Sequence, residues 1–274
     1  MYSQTFDATG ARTSSTLATG SGTASNFGAV ANGFGEGVTL AYDAATGGYT
    51  VTDAGGASAT FLPSMKDPGS SDDQVTTFAK ASGSTSDQLV LFNPGSANTL
   101  MALTYVSYGA WQHTVTNGAT ADLSQQYFVY GIRQDANQPS TGSGSYAITV
   151  DGIWSNPDGI YTLSSQPGAS TFTANFTNKT VSTTLQLDGT NATVPGDTKS
   201  LGRFNGTGTI AAMGGGFAGT LTHQGTDGNG NTLNGSFAGA FFGPQGQEVG
   251  YTFSLRDPTG SGGTAAGAVV GKAQ

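Results

Sequence analysis

Polar and apolar positions alternate along much of this chain with a period of two. In Ser170-Thr171-Phe172-Thr173-Ala174-Asn175-Phe176 every second residue is apolar, and the run from 181 to 187 repeats the pattern. That period places successive side chains on opposite faces of a strand. No stretch carries a convincing helical stripe of apolar residues at positions i, i+3, i+4 and i+7 over three turns. The chain therefore reads as all-β.

A first group of strands spans about 36 to 133. Val38 to Tyr42 and Tyr49 to Thr52 flank an Asp/Gly-bearing turn, and Ala57 to Phe61 continues the meander. Thr76 to Lys80, Gln88 to Phe92, a long apolar strand from Leu100 to Trp111, and Tyr127 to Gly131 complete it. Pro139-Ser140-Thr141-Gly142-Ser143-Gly144 marks a boundary. Beyond it about eight strands follow at near-even spacing, joined by tight polar turns. They are 145–154, 170–176, 181–187, 204–213, 217–223, 233–242, 247–255 and 265–272. An up-and-down sheet of that kind removes its exposed edges by closing into a barrel.

The expected organisation has three parts. Residues 1–35, rich in Thr, Ser, Gly and Ala, read as a flexible or loosely ordered N-terminal segment. Residues 36–138 form an N-terminal β-rich domain of the handle or clamp type. Residues 139–274 form a C-terminal eight-stranded antiparallel β-barrel.

Composition supports this reading. The 44 glycines in 274 residues would suggest disorder, but 15 Phe, 10 Tyr and 2 Trp supply enough aromatic surface for real cores. Only 9% of residues are charged, and hydroxyl and amide side chains take the outward strand positions instead. A formal net charge of −8 with 9 Lys and Arg leaves no basic stripe for nucleic acid or an anionic membrane. The absence of Cys removes disulfides, thiolate metal sites and a Cys nucleophile. No uninterrupted apolar run is long enough to span a bilayer as a helix. Met1-Tyr2-Ser3 leads directly into polar sequence. The expectation is that a leader precedes it in the full polypeptide, and a lipid-anchoring Cys would lie in that same stretch.

Gly235-Ser236-Phe237-Ala238-Gly239-Ala240-Phe241-Phe242-Gly243-Pro244-Gln245-Gly246-Gln247-Glu248-Val249-Gly250 resembles the penultimate hairpin of the transferrin-binding protein B barrel family. The closing run from Ala266 to Lys272 resembles that family's last strand, and Gln138 to Tyr146 its first barrel strand. Leu103 to Trp111 resembles a phrase that precedes the barrel in the transferrin-binding-protein-like solute-binding group. Tyr251 stands where a second Gly is usual. The hairpin phrase itself reads as structure: Phe237, Phe241 and Phe253 fill a narrow interior, with Gly where the sheet bends sharply.

The resemblance implies a non-enzymatic surface lipoprotein or secreted binder, on the extracellular face of the outer membrane or released from it. Such relatives include transferrin and lactoferrin receptors, the factor H-binding protein and the haem carriers called hemophilins. It implies capture of a nutrient, haem or an iron source, and delivery to an outer-membrane TonB-dependent transporter. The alternative is a protein-binding lipoprotein or adhesin of the factor H-binding type, its partner a host or foreign protein. No cofactor is required; haem would be cargo.

The candidate ligand residues are His113, Trp111, Tyr105, Tyr108, Tyr127 and Tyr130. His113 is the best single axial ligand for haem, with the aromatics stacking on the porphyrin. The simpler reading is a strand-end histidine beside core aromatics. Alternation puts Tyr105, Ser107, Gly109, Trp111 and His113 on one face and Val106, Tyr108, Ala110 and Gln112 on the other. His223 reads as an exposed loop residue and Asp227-Gly228-Asn229-Gly230-Asn231 as a hairpin turn; no residue set marks a metal site. Catalysis is disfavoured, since no Gly-x-Ser-x-Gly elbow sits between a strand and a helix.

Overall fold

The computed structural model describes residues 2–133, 139–211 and 216–274. Three strands open the chain: β1 (Gln4–Asp7), β2 (Thr9–Ala18) and β3 (Ala24–Asn32). The segment 1–35, expected to be flexible or loosely ordered, holds all three of these strands. Its Thr, Ser, Ala and Gly residues are strand residues chosen for size, because β2 is buried along most of its first half. It runs between two cores, where small side chains let neighbouring layers approach.

Next come β4 (Thr39–Asp43), β5 (Gly48–Thr52) and β6 (Ser58–Phe61), then two single 3-10 turns at Pro63–Met65 and Pro68–Ser70. The hairpins β7 (Val75–Ser82)–β8 (Thr85–Phe92) and β9 (Val106–Asn117)–β10 (Thr120–Gly131) follow. The long strand expected from Leu100 begins instead at Val106 and runs on to Asn117. Side chains hold the stretch before it out of a ladder. Asn98 Oδ1 accepts from the N–H groups of Leu100 and Met101, and Glu248 accepts those of Thr104, Tyr105 and Val106.

These strands form two sheets. One has the order β1-β4-β5-β6, the other β3-β2-β10-β9-β8-β7. Val38, Leu40, Val51, Ala59 and Phe61 of the smaller sheet pack on Phe78, Leu89, Leu91, Trp111 and Phe128 of the larger.

The rest is the barrel: β11 (Ser143–Asn156), β12 (Gly159–Ser164), β13 (Thr171–Asn175), β14 (Thr180–Asn191), β15 (Thr198–Ile210), β16 (Gly216–His223), β17 (Asn234–Phe242), β18 (Glu248–Arg256) and β19 (Thr264–Ala273). Pairing of β11 with β19 closes it. The sequence pattern does not mark β12. It lies end to end with β13, and each pairs with both β11 and β14. Together they fill one position in the wall, so the antiparallel barrel has eight strand positions. The expected domain boundary at 138/139, the start of the Gln138 phrase, Met213 and the turn glycines Gly214 and Gly215 touch or lie outside the described residues.

Aromatic rings fill the barrel. Phe172, Phe217, Phe241 and Tyr251 stack in a chain with centroids 5.2 to 6.2 Å apart, and all are buried. Each fully buried Phe adds about 2–3 kcal/mol of hydrophobic stabilisation. The Tyr251 hydroxyl reaches Thr183 Oγ1 at 2.7 Å, so the one polar tip among these rings is satisfied.

The outer face of β17–β19 is covered by the larger sheet. Ala240, Phe242, Ala266, Ala268 and Val270 of the barrel meet Ala11, Val106, Tyr108, Ala110, Tyr127 and Val129. Strand β19 is therefore buried on both faces, which is why its apolar run is continuous rather than alternating.

His223 corrects an expectation. It ends β16 and is only 6% exposed. Its ring stacks on Phe204 at 4.4 Å, and Nδ1 accepts from the Leu233 N–H at 3.3 Å. The turn held by Asp227, which accepts from the N–H groups of Asn229 and Asn231, brings the loop back over it.

Candidate functional site

The register of the larger sheet sets residues from five strands in rows. Ser14 lies opposite Ser124, Ser124 opposite His113, His113 opposite Asp87, and Asp87 opposite Lys80. The adjacent row on the same face holds Arg12, Gln126, Trp111, Leu89 and Phe78. Cross-strand neighbours on one face interact directly.

Asp87 organises the first row. Its Oδ1 lies 2.8 Å from Nδ1 of His113 and accepts from Nε1 of Trp111 at 2.9 Å. Lys80 Nζ stands 4.0 Å from the other oxygen. An ionised carboxylate only accepts, so the hydrogen in the His113 contact sits on Nδ1. Nε2 is left as the open ring nitrogen, on a side chain 40% exposed. A second carboxylate, Asp53, comes from the turn after β5. It accepts from the N–H groups of Gly55 and Ala57 and from Arg12 Nη1 at 2.8 Å. Between these groups lies a cavity of about 280 Å³, with Trp111 at its apolar side.

Trp111 and His113 share a face, as strand alternation predicts. The other four candidates do not join them in one site. Tyr105 precedes β9 and packs with the core between the larger sheet and the barrel, because the strand starts one residue after it. Tyr108 and Tyr127 face the barrel too. Tyr108 stacks on Phe92 at 5.0 Å, and both phenols lie close to Asp151 of β11. Burial, with the Asp151 charge nearby, pushes both phenols well up. Desolvation in turn raises the Asp151 carboxyl to about 6, although these hydroxyls and the Gly152 N–H favour its charged form. Tyr130 is on the Trp111 face but four residues along, against Phe6 at 5.5 Å and Phe128 at 5.9 Å; burial raises it to about 12. Among the described residues no cluster of three or more His, Asp or Glu is arranged to hold a metal ion.

Arg12, Asp53, Asp87 and Ser124 were not legible as site residues. Only the register, which joins β2, β8, β9 and β10, brings Arg12, Asp87 and Ser124 to His113, and Asp53 arrives from the smaller sheet through its contact with Arg12.

A family model for the C-lobe and N-lobe beta barrels of Tf-binding protein B matches residues 106–272, from the start of β9 almost to the chain end. Intact Ap-TbpB, solved with its N and C lobes, superposes with a TM-score of 0.53 at 16% identity, over 96% of this chain and 46% of that one. A double mutant of the vaccine antigen transferrin binding protein B from Haemophilus parasuis Hp5 gives 0.50 at 17% identity, over 96% and 44%. This chain thus spans less than half the length of either, and the likeness is one of fold. No curated protein matches the chain.

Proposed function

The chain belongs to the family of transferrin-binding protein B barrels, and from that premise we propose that it is a non-enzymatic binding protein of the bacterial surface that captures an iron source for an outer-membrane transporter. The observation that carries this reading is the filled barrel. With Phe172, Phe217, Phe241 and Tyr251 packed through its interior, the barrel offers no central ligand chamber among the described residues, so binding falls to outer surfaces and loops. Solved relatives are named for binding transferrin, and that sets the class of cargo proposed.

The cargo we favour is protein-borne iron rather than free haem. The aromatics that would stack on a porphyrin are divided between two faces of one sheet. The cavity beside His113, at about 280 Å³, is at the bottom of the range that encloses a drug-sized ligand, and a porphyrin exceeds it.

The test is biolayer interferometry on the immobilised chain with iron-loaded transferrin and haemoglobin, and haemin titration followed in the Soret region. Saturable binding of one of the two proteins, with a free-haemin spectrum, is expected. Silence with both proteins would overturn the reading; a Soret band lost in His113→Ala would replace protein-borne iron by haem.

A further inference from the structure

The cavity between Arg12, Trp111 and His113 has a chemical character of its own. Its two carboxylates are already engaged: Asp53 by two backbone N–H groups and Arg12, Asp87 by His113 and Trp111. What remains open at the Arg12 end is therefore donor, while Asp87 Oδ2, with Lys80 Nζ at 4.0 Å, leaves an acceptor at the His113 end. Arg12 carries five N–H groups, and only one is seen on Asp53; among the described residues the others have no partner. In a chain with 9 basic residues and a net charge of −8, a guanidinium facing a cavity is a local exception. It favours an anion, and a planar one above all, since a guanidinium takes a carboxylate in a two-pronged contact.

His113 adds a different demand. With Nδ1 turned to Asp87, Nε2 is the ring nitrogen open to a ligand. Its complement is a hydroxyl, which can donate to a ring nitrogen or accept from it. Two strand spacings and two residues of rise separate Arg12 from His113, which puts their Cα atoms roughly 12 Å apart. The two side chains therefore reach a ligand from opposite ends. Trp111 lies in the Arg12 row, and Ser124 sits on the strand between them with a hydroxyl able to donate or accept.

We propose that this cavity is a binding site for a small hydroxy-carboxylate of substituted-benzoate size, with its carboxylate on Arg12, its hydroxyl on Nε2 of His113 and its ring against Trp111. The site is separate from the capture of an iron source, and the two stand or fall independently: one is read with small molecules, the other with iron-bearing proteins.

The test uses three probes with the full chain in isothermal titration and saturation-transfer NMR. These are 4-hydroxybenzoate, benzoate without the hydroxyl, and 4-hydroxybenzamide without the charge. We expect 4-hydroxybenzoate to bind about tenfold more tightly than either of the others. His113→Gln removes the preference over benzoate and keeps the preference over the amide. Arg12→Gln does the reverse, and because it also strips Asp53 of its partner, its fold is checked by thermal melting, with Arg12→Lys as a second variant expected to keep part of the charge preference. Equal binding of all three probes overturns the proposal. So does the absence of any signal at about 10 mM, or unchanged preferences in a folded His113→Gln protein.

Discussion

The carboxylate of Glu248 holds Tyr105 by its backbone, the Tyr105 N–H donating to Oε2 at 2.7 Å. The same side chain takes the N–H groups of Thr104 at 2.8 Å and Val106 at 3.0 Å. Glu248 is 1% exposed, and its three bonds fix the point where the irregular segment before β9 becomes strand. Glu248→Gln puts an amide N–H where one carboxylate oxygen accepted, leaving buried donors facing a donor. A loss on the order of 3 kcal/mol is expected. Urea denaturation measures it, and limited proteolysis should show new cleavage near residues 100–105. An unchanged midpoint would mean that the segment is held by other contacts.

Asp151 makes stability depend on pH in one direction. Burial raises its carboxyl to about 6, from 3.8, so the folded protein holds the proton more tightly than the unfolded chain. Its contribution is fully present below about pH 4 and is lost as pH rises through about 6, a change on the order of 2 kcal/mol. Comparing Asp151→Asn with the parent by denaturant titration at pH 4 and pH 7 isolates it. The difference between the two proteins should change across that window; a constant difference would show that Asp151 does not titrate there.

His223 acts with the opposite sign. Desolvation lowers its pKa from 6.5, partly offset by the Asp227 charge. The folded state favours the neutral ring, so this contribution is present above pH 6.5 and is lost as pH falls through the lowered value. His223→Phe keeps the stack on Phe204 and removes the titration. Its stability relative to the parent should improve between pH 6.5 and 5, after a constant cost of about 1 kcal/mol for the unmet Leu233 N–H. Parallel pH curves for the two proteins would count against this account.

Gly267 leaves room for a ring. It lies opposite Phe253 on one side and Gly152 on the other, and a Cβ there would meet Phe253 Cε1 at 2.6 Å and the Asp151 carbonyl oxygen. The backbone contact cannot yield by a rotamer change. Gly267→Ala should cost about 3 kcal/mol or more by overpacking. Shaving the ring as well, in Gly267→Ala/Phe253→Leu, should recover only part of that loss, read as the shift in thermal midpoint.

Much of the barrel was legible because strands such as β13 and β14 alternate strictly and its hairpin phrase is distinctive. The opening strands were hidden because β2 and β3 contain mostly small residues, so a strand between two cores reads like a polar linker. Strand β12 was hidden because its run is short and follows a turn at once. The division of the aromatics follows from parity: Tyr127 and Tyr130 are three apart on one strand and so face opposite ways, as do Tyr108 and Trp111. Sequence alone does not say which face meets the barrel, nor that Asp87 and Arg12 flank His113, because those facts depend on register between strands distant in the chain.

Strand β2 pairs with β10 from Thr9↔Val129 to Ala18↔Thr120. A strand made among the first residues of the chain thus finds this partner only after more than a hundred others have been added. Closing so long a loop is slow, and the larger sheet cannot be completed early in synthesis. Until then β2 has only its hairpin partner β3, and its other edge stays open; its Ser and Thr residues, with little large apolar surface to expose, suit that edge to waiting in water without aggregating. The small side chains that let β2 lie between two cores in the finished molecule also keep the unfinished chain soluble.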